Sequence, residues 1–161
     1  MNLSQHASLR GRVFALGLAA GFGLLGNDPC GPVPGGALDG EVVSEPIDDW
    51  GFANDHGRCQ LEVRPAEPHS VTTYCFADGA VLYVPAIMGD SKQWTKLALA
   101  NPDARIRIGG RLYPVTLERL VDAADRRAAA EAGHRRHHGG VAPPPDFEVE
   151  EDRWYFRATS R

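Results

Sequence analysis

The chain has 161 residues, 43% of them hydrophobic and 24% charged, with a formal net charge of -4. These proportions are ordinary for a soluble fold, and the acidic balance excludes nucleic acid as an evident partner. With the non-globular front set aside, roughly 120 residues remain, enough for one small barrel core.

At the N-terminus, Arg10 and Arg12 precede an apolar run over 13–26, and no acidic residue occurs before Asp28. A basic stretch followed by an apolar one of this length is the pattern of an export signal. The run is shorter than the about 20 apolar residues of a comfortable membrane span. A buried helix is the competing reading, penalised by Gly17, Gly21, Gly23 and Gly26. Segment 1–26 is therefore expected to be an export signal or membrane anchor, with the protein in the cell envelope or periplasm. Leu24-Leu25-Gly26 resembles the start of a bacterial lipobox, but Asn27 stands where the cysteine belongs and Cys30 follows Pro29.

Residues 27–49 are rich in glycine, proline and acids and read as a tether, with a first short strand within Leu38–Val43. Trp50 and Phe52 bring aromatic bulk and mark the start of the domain, 50–161.

Cys59 to Arg64 alternates apolar and polar residues, the period of a half-buried strand. Val71 to Phe76 is a second strand, and Pro65 and Pro68 break any ladder between the two. A hairpin centred on Glu67 would set Leu61 opposite Thr73 and Cys59 opposite Cys75, close enough for a cross-strand disulfide. Two buried thiols are the alternative, and an odd cysteine count leaves at least one unpaired.

Asp78-Gly79 signals a hairpin turn. Ala80 to Ile87 is nearly all apolar and reads as a central strand, with Pro85 at a bulge or facing an edge. Asp90 or Ser91 is placed to cap a helix over Lys92–Ala100, whose apolar stripe is Trp94, Leu97, Ala98 and Asn101. Pro102 ends it. Ala104–Ile108 and Arg111–Leu117 form a hairpin around Gly109-Gly110. Arg105, Arg107, Arg111 and Arg119 read as one charged sheet face, with a phosphate-contacting patch as the lesser reading. Leu120–Gly133 is an alanine-rich helix stopped by Gly133; 133–146 is an exposed loop, and Arg153–Arg157 is a last strand that closes the sheet.

The succession Tyr83, Gly89, Trp94, Asn101-Pro102, Arg105–Ile108 and Gly109-Gly110 resembles the FMN-binding split β-barrel superfamily, above all the deazaflavin-dependent nitroreductase family. The resemblance covers about Val71 to Asp122, a third of the chain. It implies an α+β, mainly β fold: a split β-barrel of about six strands with two short helices. It also implies an oxidoreductase holding FMN or a deazaflavin and acting on a small organic acceptor, and a homodimer with the cofactor near the subunit interface. The family's Gly- and Lys-rich segment before the second strand is replaced here by Leu61-Glu62-Val63-Arg64-Pro65. This departure motivates the alternative of a non-catalytic envelope module that kept the barrel and lost the cofactor.

In the resembling family the loop before the helix lies beside the cofactor. Gly89, Ser91, Lys92 and Trp94 are therefore the first binding candidates, the N-H groups at a helix start attracting anions. Plain capping, with Trp94 in the core, is the competing reading. Arg64 and Thr73 are phosphate contacts by position. Tyr83, with Tyr74 and Phe76, would line a pocket for a planar ligand, although aromatics at such spacing more often pack a sheet. His134, His137 and His138, with Glu131 as the only close carboxylate, lack the fixed fourth ligand of a zinc site, and no metal is expected. No nucleophile–base constellation is visible, so redox chemistry would be the cofactor's own; catalytic residues are not assignable.

Overall fold

The structure, a computed structural model, describes residues 28–64 and 66–161; the expected export segment at 1–26 lies outside the described residues. In chain order the elements are β1 (Glu41–Val42), β2 (Cys59–Val63), β3 (His69–Thr73), β4 (Phe76–Asp78), β5 (Val81–Ala86), α1 (Gln93–Ala100), β6 (Asp103–Ile108), β7 (Arg111–Arg119), α2 (Ala123–His137) and β8 (Trp154–Ser160). A 3-10 turn at Gly51–Asp55 precedes β2. The fold is α+β and mainly β, a split β-barrel.

One sheet runs β3-β2-β6-β7-β8-β5-β4, with β1 laid parallel on the free start of β7. Its two edges, β3 and β4, are joined only by Tyr74 and Cys75. Six strand spacings of ~4.8 Å would part the edges of a flat sheet by ~29 Å. Two linking residues reach only ~10 Å. The sheet must therefore curl until its edges meet at a seam. β8 joins the two halves, pairing β7 on one side and β5 on the other.

Alternation sorts the strands onto two faces. Along β6, Ala104, Ile106 and Ile108 are buried and Asp103, Arg105 and Arg107 lie outward. Inside the barrel, Leu61, Val63, Leu82, Val84, Ile106, Val115 and Phe156 pack with Trp50 and Trp94. The outer face of β4, β5 and β8 forms a second core, in which Phe76, Tyr83 and Tyr155 meet Ala129, Ala130 and Ala132 of α2. The β6–β7 turn is Gly109-Gly110, with φ of 58° and 83°. Both are in the left-handed region that a two-residue hairpin of this hand requires.

Several expectations need correction. The β2–β3 hairpin is shifted two residues from the expected register: Cys59 faces Thr73, and Leu61 faces Val71. A two-residue slip keeps every side chain on its face. Cys75 lies past the end of β3 and joins Cys59 diagonally in a disulfide, at a Cα–Cα distance of 5.8 Å. The expected strand Val71–Phe76 is two strands, because the chain leaves one sheet edge at Thr73 and enters the other at Phe76. Pro85 is tolerated because β4 ends opposite Tyr83, so only β8 flanks β5 there.

The alanine-rich helix starts later and runs further than read. Asp122 caps it, accepting from the Ala124 and Asp125 N-H groups. It continues through Gly133 to His137 and stops at Gly139-Gly140, where the Gly140 N-H reaches the Arg135 carbonyl. Gly133 is a packing requirement: a Cβ there would lie 3.0 Å from Phe76 Cζ. So 133–137 is helix, and the exposed loop begins after it.

Segment 27–49 is more than a tether. Leu38 is buried, β1 pairs with β7, and Gly35 bridges to Ser70. Glu62, read as solvent-facing on β2, is buried beneath this segment. It accepts the Leu38 N-H at 2.6 Å and both nitrogens of a bidentate Arg105 at 2.8 and 2.7 Å. The arginine face is thereby divided among partners: Arg105 with Glu62, Arg107 with Asp28, Arg111 with Glu41. Arg119 stacks over the Trp154 ring at 3.4 Å. Among the described residues no helix is long and apolar enough to cross a membrane.

Candidate functional site

A groove of about 820 Å³ opens beside the seam. Its floor comes from β3 (Val71, Thr72, Thr73), Tyr74 and Phe76, and one wall from the end of β5 and the start of α1. The opposite wall is the last two turns of α2 with the 147–150 segment, and Gly31–Pro34 forms part of the rim. The volume lies in the range of small-molecule and cofactor sites, which are concave and mostly apolar with few polar groups. The groove exists because α2, held on the outer face by its small residues, projects past β4 towards the edge strand β3.

The seven binding residues read from the sequence separate into two sets. Thr73, Lys92 and Trp94 line the groove. Lys92 is exposed at the first position before α1 and has no ion-pair partner among the described residues. Trp94 offers the groove only an edge, since it is 6% exposed and packs its ring on Phe156 at 5.1 Å between centroids. The helix start carries no side-chain cap. Neither Asp90 nor Ser91 caps it; the Thr95 hydroxyl in the first turn instead ties the preceding loop down by donating to the Gly89 and Lys92 carbonyls.

Gly89, Ser91, Arg64 and Tyr83 do not line it. Ser91 turns back to the Met88 carbonyl. Arg64 is held at the hairpin tip by Glu67, through both its carboxylate and its carbonyl. Tyr83 lies in the second core against Phe76, and burial pushes its phenol pKa up. Gly89 is required for packing, since a Cβ there would lie 2.3 Å from Trp154 Cγ and 2.7 Å from its Cβ. These atoms are near the root of the side chain and cannot swing aside. Gly89→Ala is expected to cost about 1–3 kcal/mol in urea unfolding, as overpacking does. An unchanged midpoint would show that the loop yields freely and that the glycine has no packing role.

Tyr74 and Phe76, read from the sequence as pocket aromatics beside Tyr83, do line the groove, and the histidines weighed there for a metal line it too, while His69, Phe147, Arg153 and Tyr155 were passed over. Tyr74, 45% exposed, lies beside the His137 ring. The His134 and His138 rings stack at 4.0 Å, and Phe147 meets His134 edge-on. His69 projects from β3, Arg153 comes from just before β8 and Tyr155 from the start of that strand. Burial keeps the Tyr155 hydroxyl protonated by raising its pKa. Burial lowers the His69 pKa, and the Arg64 charge adds to this; His134 is lowered by burial and then by His138. His134 and His137 of α2 and His138 at its C-cap were legible as a cluster, but their placement on a groove depended on the helix running past Gly133. Among the described residues, no group of three or more histidine, cysteine, aspartate or glutamate side chains is gathered to hold a metal ion.

No protein-family model matches the chain, and no curated protein matches it. Solved structures do. Over 68% of this chain and 76% of the other, it is similar to the conserved hypothetical protein Rv2991 from Mycobacterium tuberculosis, with a TM-score of 0.55 and 13% identity. A candidate pyridoxamine 5'-phosphate oxidase from Listeria innocua aligns over 68% of this chain and 87% of its own, with a TM-score of 0.51 and 17% identity. A FAD-binding protein from Mesorhizobium loti aligns over 68% and 84%, with a TM-score of 0.50 and 16% identity. The chain shares the split-barrel fold of these proteins.

Proposed function

We propose that this split barrel binds a flavin-type cofactor, FMN or a deazaflavin, in the groove beside the seam and serves as an oxidoreductase for a small organic acceptor. The observation that carries the reading is the groove itself, large enough for a tricyclic ring and lined by Val71, Tyr74, Ile87 and Phe147 with the Lys92 ammonium at its rim. The flavin-binding description of one structural relative supports it. These apolar side chains would hold the ring and exclude water, while Thr73 and Lys92 would orient polar substituents. The bound cofactor would supply the hydride chemistry. The exposed apolar residues Val33 and Ile87 at the mouth favour a homodimer closing over it.

A second reading, an envelope module without cofactor, is favoured by Arg64. Its guanidinium is tied to Glu67 away from the groove and is not offered to an anionic tail. In both readings we infer an oxidising compartment outside the cytoplasm, supported by the Cys59–Cys75 disulfide, and a membrane tether through the N-terminus, suggested by the basic-then-apolar pattern of the sequence.

The whole 161-residue chain is the right material, because a fragment starting at Trp50 would lose Leu38 and β1. Titration with FMN and with a deazaflavin, followed by tryptophan quenching and ligand absorbance, is expected to saturate. Lys92→Ala should weaken binding about tenfold, the scale of one charge-assisted contact, while Ser91→Ala should leave it unchanged. A folded protein that quenches with neither ligand would retire the oxidoreductase reading in favour of the envelope module.

A further inference from the structure

Four of the chain's six histidines, His69, His134, His137 and His138, line this single groove. The other charged groups facing it are Lys92 just before α1, Arg153 before β8, and Glu148 and Glu150 from the segment packed on α2. Two cations are thus matched by two carboxylates, and Arg153 is paired with Glu150. With the histidines neutral the groove has no net charge to offer an anion. Their protonation state decides its sign.

We propose that the histidine wall is a proton-gated seat for the phosphate-bearing end of the ligand, which binds there when the imidazoles are protonated. The inference rests on the flavin-groove reading above. His138 gives the mechanism atom by atom. Its Nδ1 lies 2.9 Å from the His134 carbonyl oxygen and so donates to it. A neutral imidazole has one donor and one acceptor, so neutral His138 presents an Nε2 lone pair, which repels an oxyanion. Protonation turns Nε2 into a donor. The wall is also the carboxyl end of α2, where the helix dipole favours cations and disfavours anions. Holding a phosphate there therefore requires charged imidazoles. The stacked His134 and His138 rings resist joint protonation, and a phosphate beside them would relieve that repulsion. Arg153 adds an Nε-H that is buried without a partner. Tyr74 and Tyr155 face the same space, burial keeps the Tyr155 hydroxyl protonated, and Arg64 opposes the charging of His69.

The sign follows. A bound anion raises the pKa of each imidazole it contacts, so affinity rises as pH falls through the histidine range. In the free protein the opposite linkage holds for His69 and His134, whose values lie below the ordinary 6.5. The unfolded chain takes up those protons first, so stability declines as pH falls below 6.5 and is retained above it.

The test compares FMN with riboflavin, which has the same ring and no phosphate, on the whole 161-residue chain from about pH 7.5 to about pH 5.5. Thermal unfolding at each pH verifies that the protein is folded. FMN is expected to tighten about tenfold and riboflavin less than about twofold. The FMN gain should vanish in H134Q/H137Q/H138Q. The phosphate's own ionisation near pH ~6 is common to both proteins and cancels in that comparison. Equal pH dependence of FMN and riboflavin, or an undiminished FMN gain in the triple variant, would overturn the histidine seat and leave the flavin reading standing. If neither flavin binds at any pH, the flavin reading itself fails and the seat with it.

Discussion

Glu62→Ala is expected to lower the unfolding free energy by about 3 kcal/mol, the range for breaking a buried ion pair. The Glu62 side chain is fully buried, and its two oxygens accept three hydrogen bonds, from Arg105 Nε and Nη2 and from the Leu38 N-H. Removing it strands the Leu38 N-H, a loss of about 1–3 kcal/mol by itself when no water reaches it. The Arg105 side chain is 27% exposed, so water relieves part of its loss, which holds the total to the lower end of the range. Glu62→Gln keeps an acceptor for Leu38 and should lose less. Combined with Arg105→Ala, Glu62→Ala should cost clearly less than the two single losses added, because the second change no longer leaves a buried charge unpaired. Urea unfolding of the four proteins measures this. A single-variant loss below about 1 kcal/mol would mean that residues 35–38 do not seal this carboxylate in solution.

The Cys59–Cys75 disulfide is expected to contribute about 3 kcal/mol, the chain-entropy value for a loop of this size. The two cysteines are 16 residues apart in sequence. The bridge also ties β2 to the short link between the two sheet edges, where the barrel is split and no ladder crosses. Its reduction, or Cys59→Ser with Cys75→Ser, should lower the melting temperature by roughly 10 °C for a domain of this length. Cys30, free and exposed, is the internal control: Cys30→Ser should not shift it. Identical melting with and without reductant would show that the seam holds by packing alone. Because Thr73 and Tyr74 line the groove next to the bridge, the same reduction should weaken FMN binding together with stability.

The separation of these effects follows the architecture. Glu62 secures the N-terminal segment against the outside of β2, the disulfide closes the seam, and Gly89 sets the loop under Trp154. The three act at different places, so their losses should add.

Local pattern was enough for most of the strands. The alternation through Arg105 to Ile108, the Gly109-Gly110 turn and the aromatic-rich β8 each carry their structure in a few adjacent residues, since strand period and turn chemistry are local physics. The order of motifs from Tyr83 to Gly110 was also enough to point to the split-barrel fold. Register was not legible. Hairpins slipped by two residues present the same faces, and the choice between them came from the loop at Pro68 and from where β3 must end for the chain to cross the seam. Gly133 could not be told from a helix stop, because its role depends on Phe76, 57 positions earlier in the chain. Gly89 was read as a ligand contact for the same reason, its partner Trp154 being distant in sequence. Glu62 looked solvent-facing because the cover over it comes from a glycine- and proline-rich segment with no periodic signal. Strand content and turns were thus readable from adjacent residues, and the resemblance carried by the motif order implied the fold type. Which side chains share the groove emerged from packing, because it depends on how far α2 projects past the sheet edge and on the small residues that let it lie there.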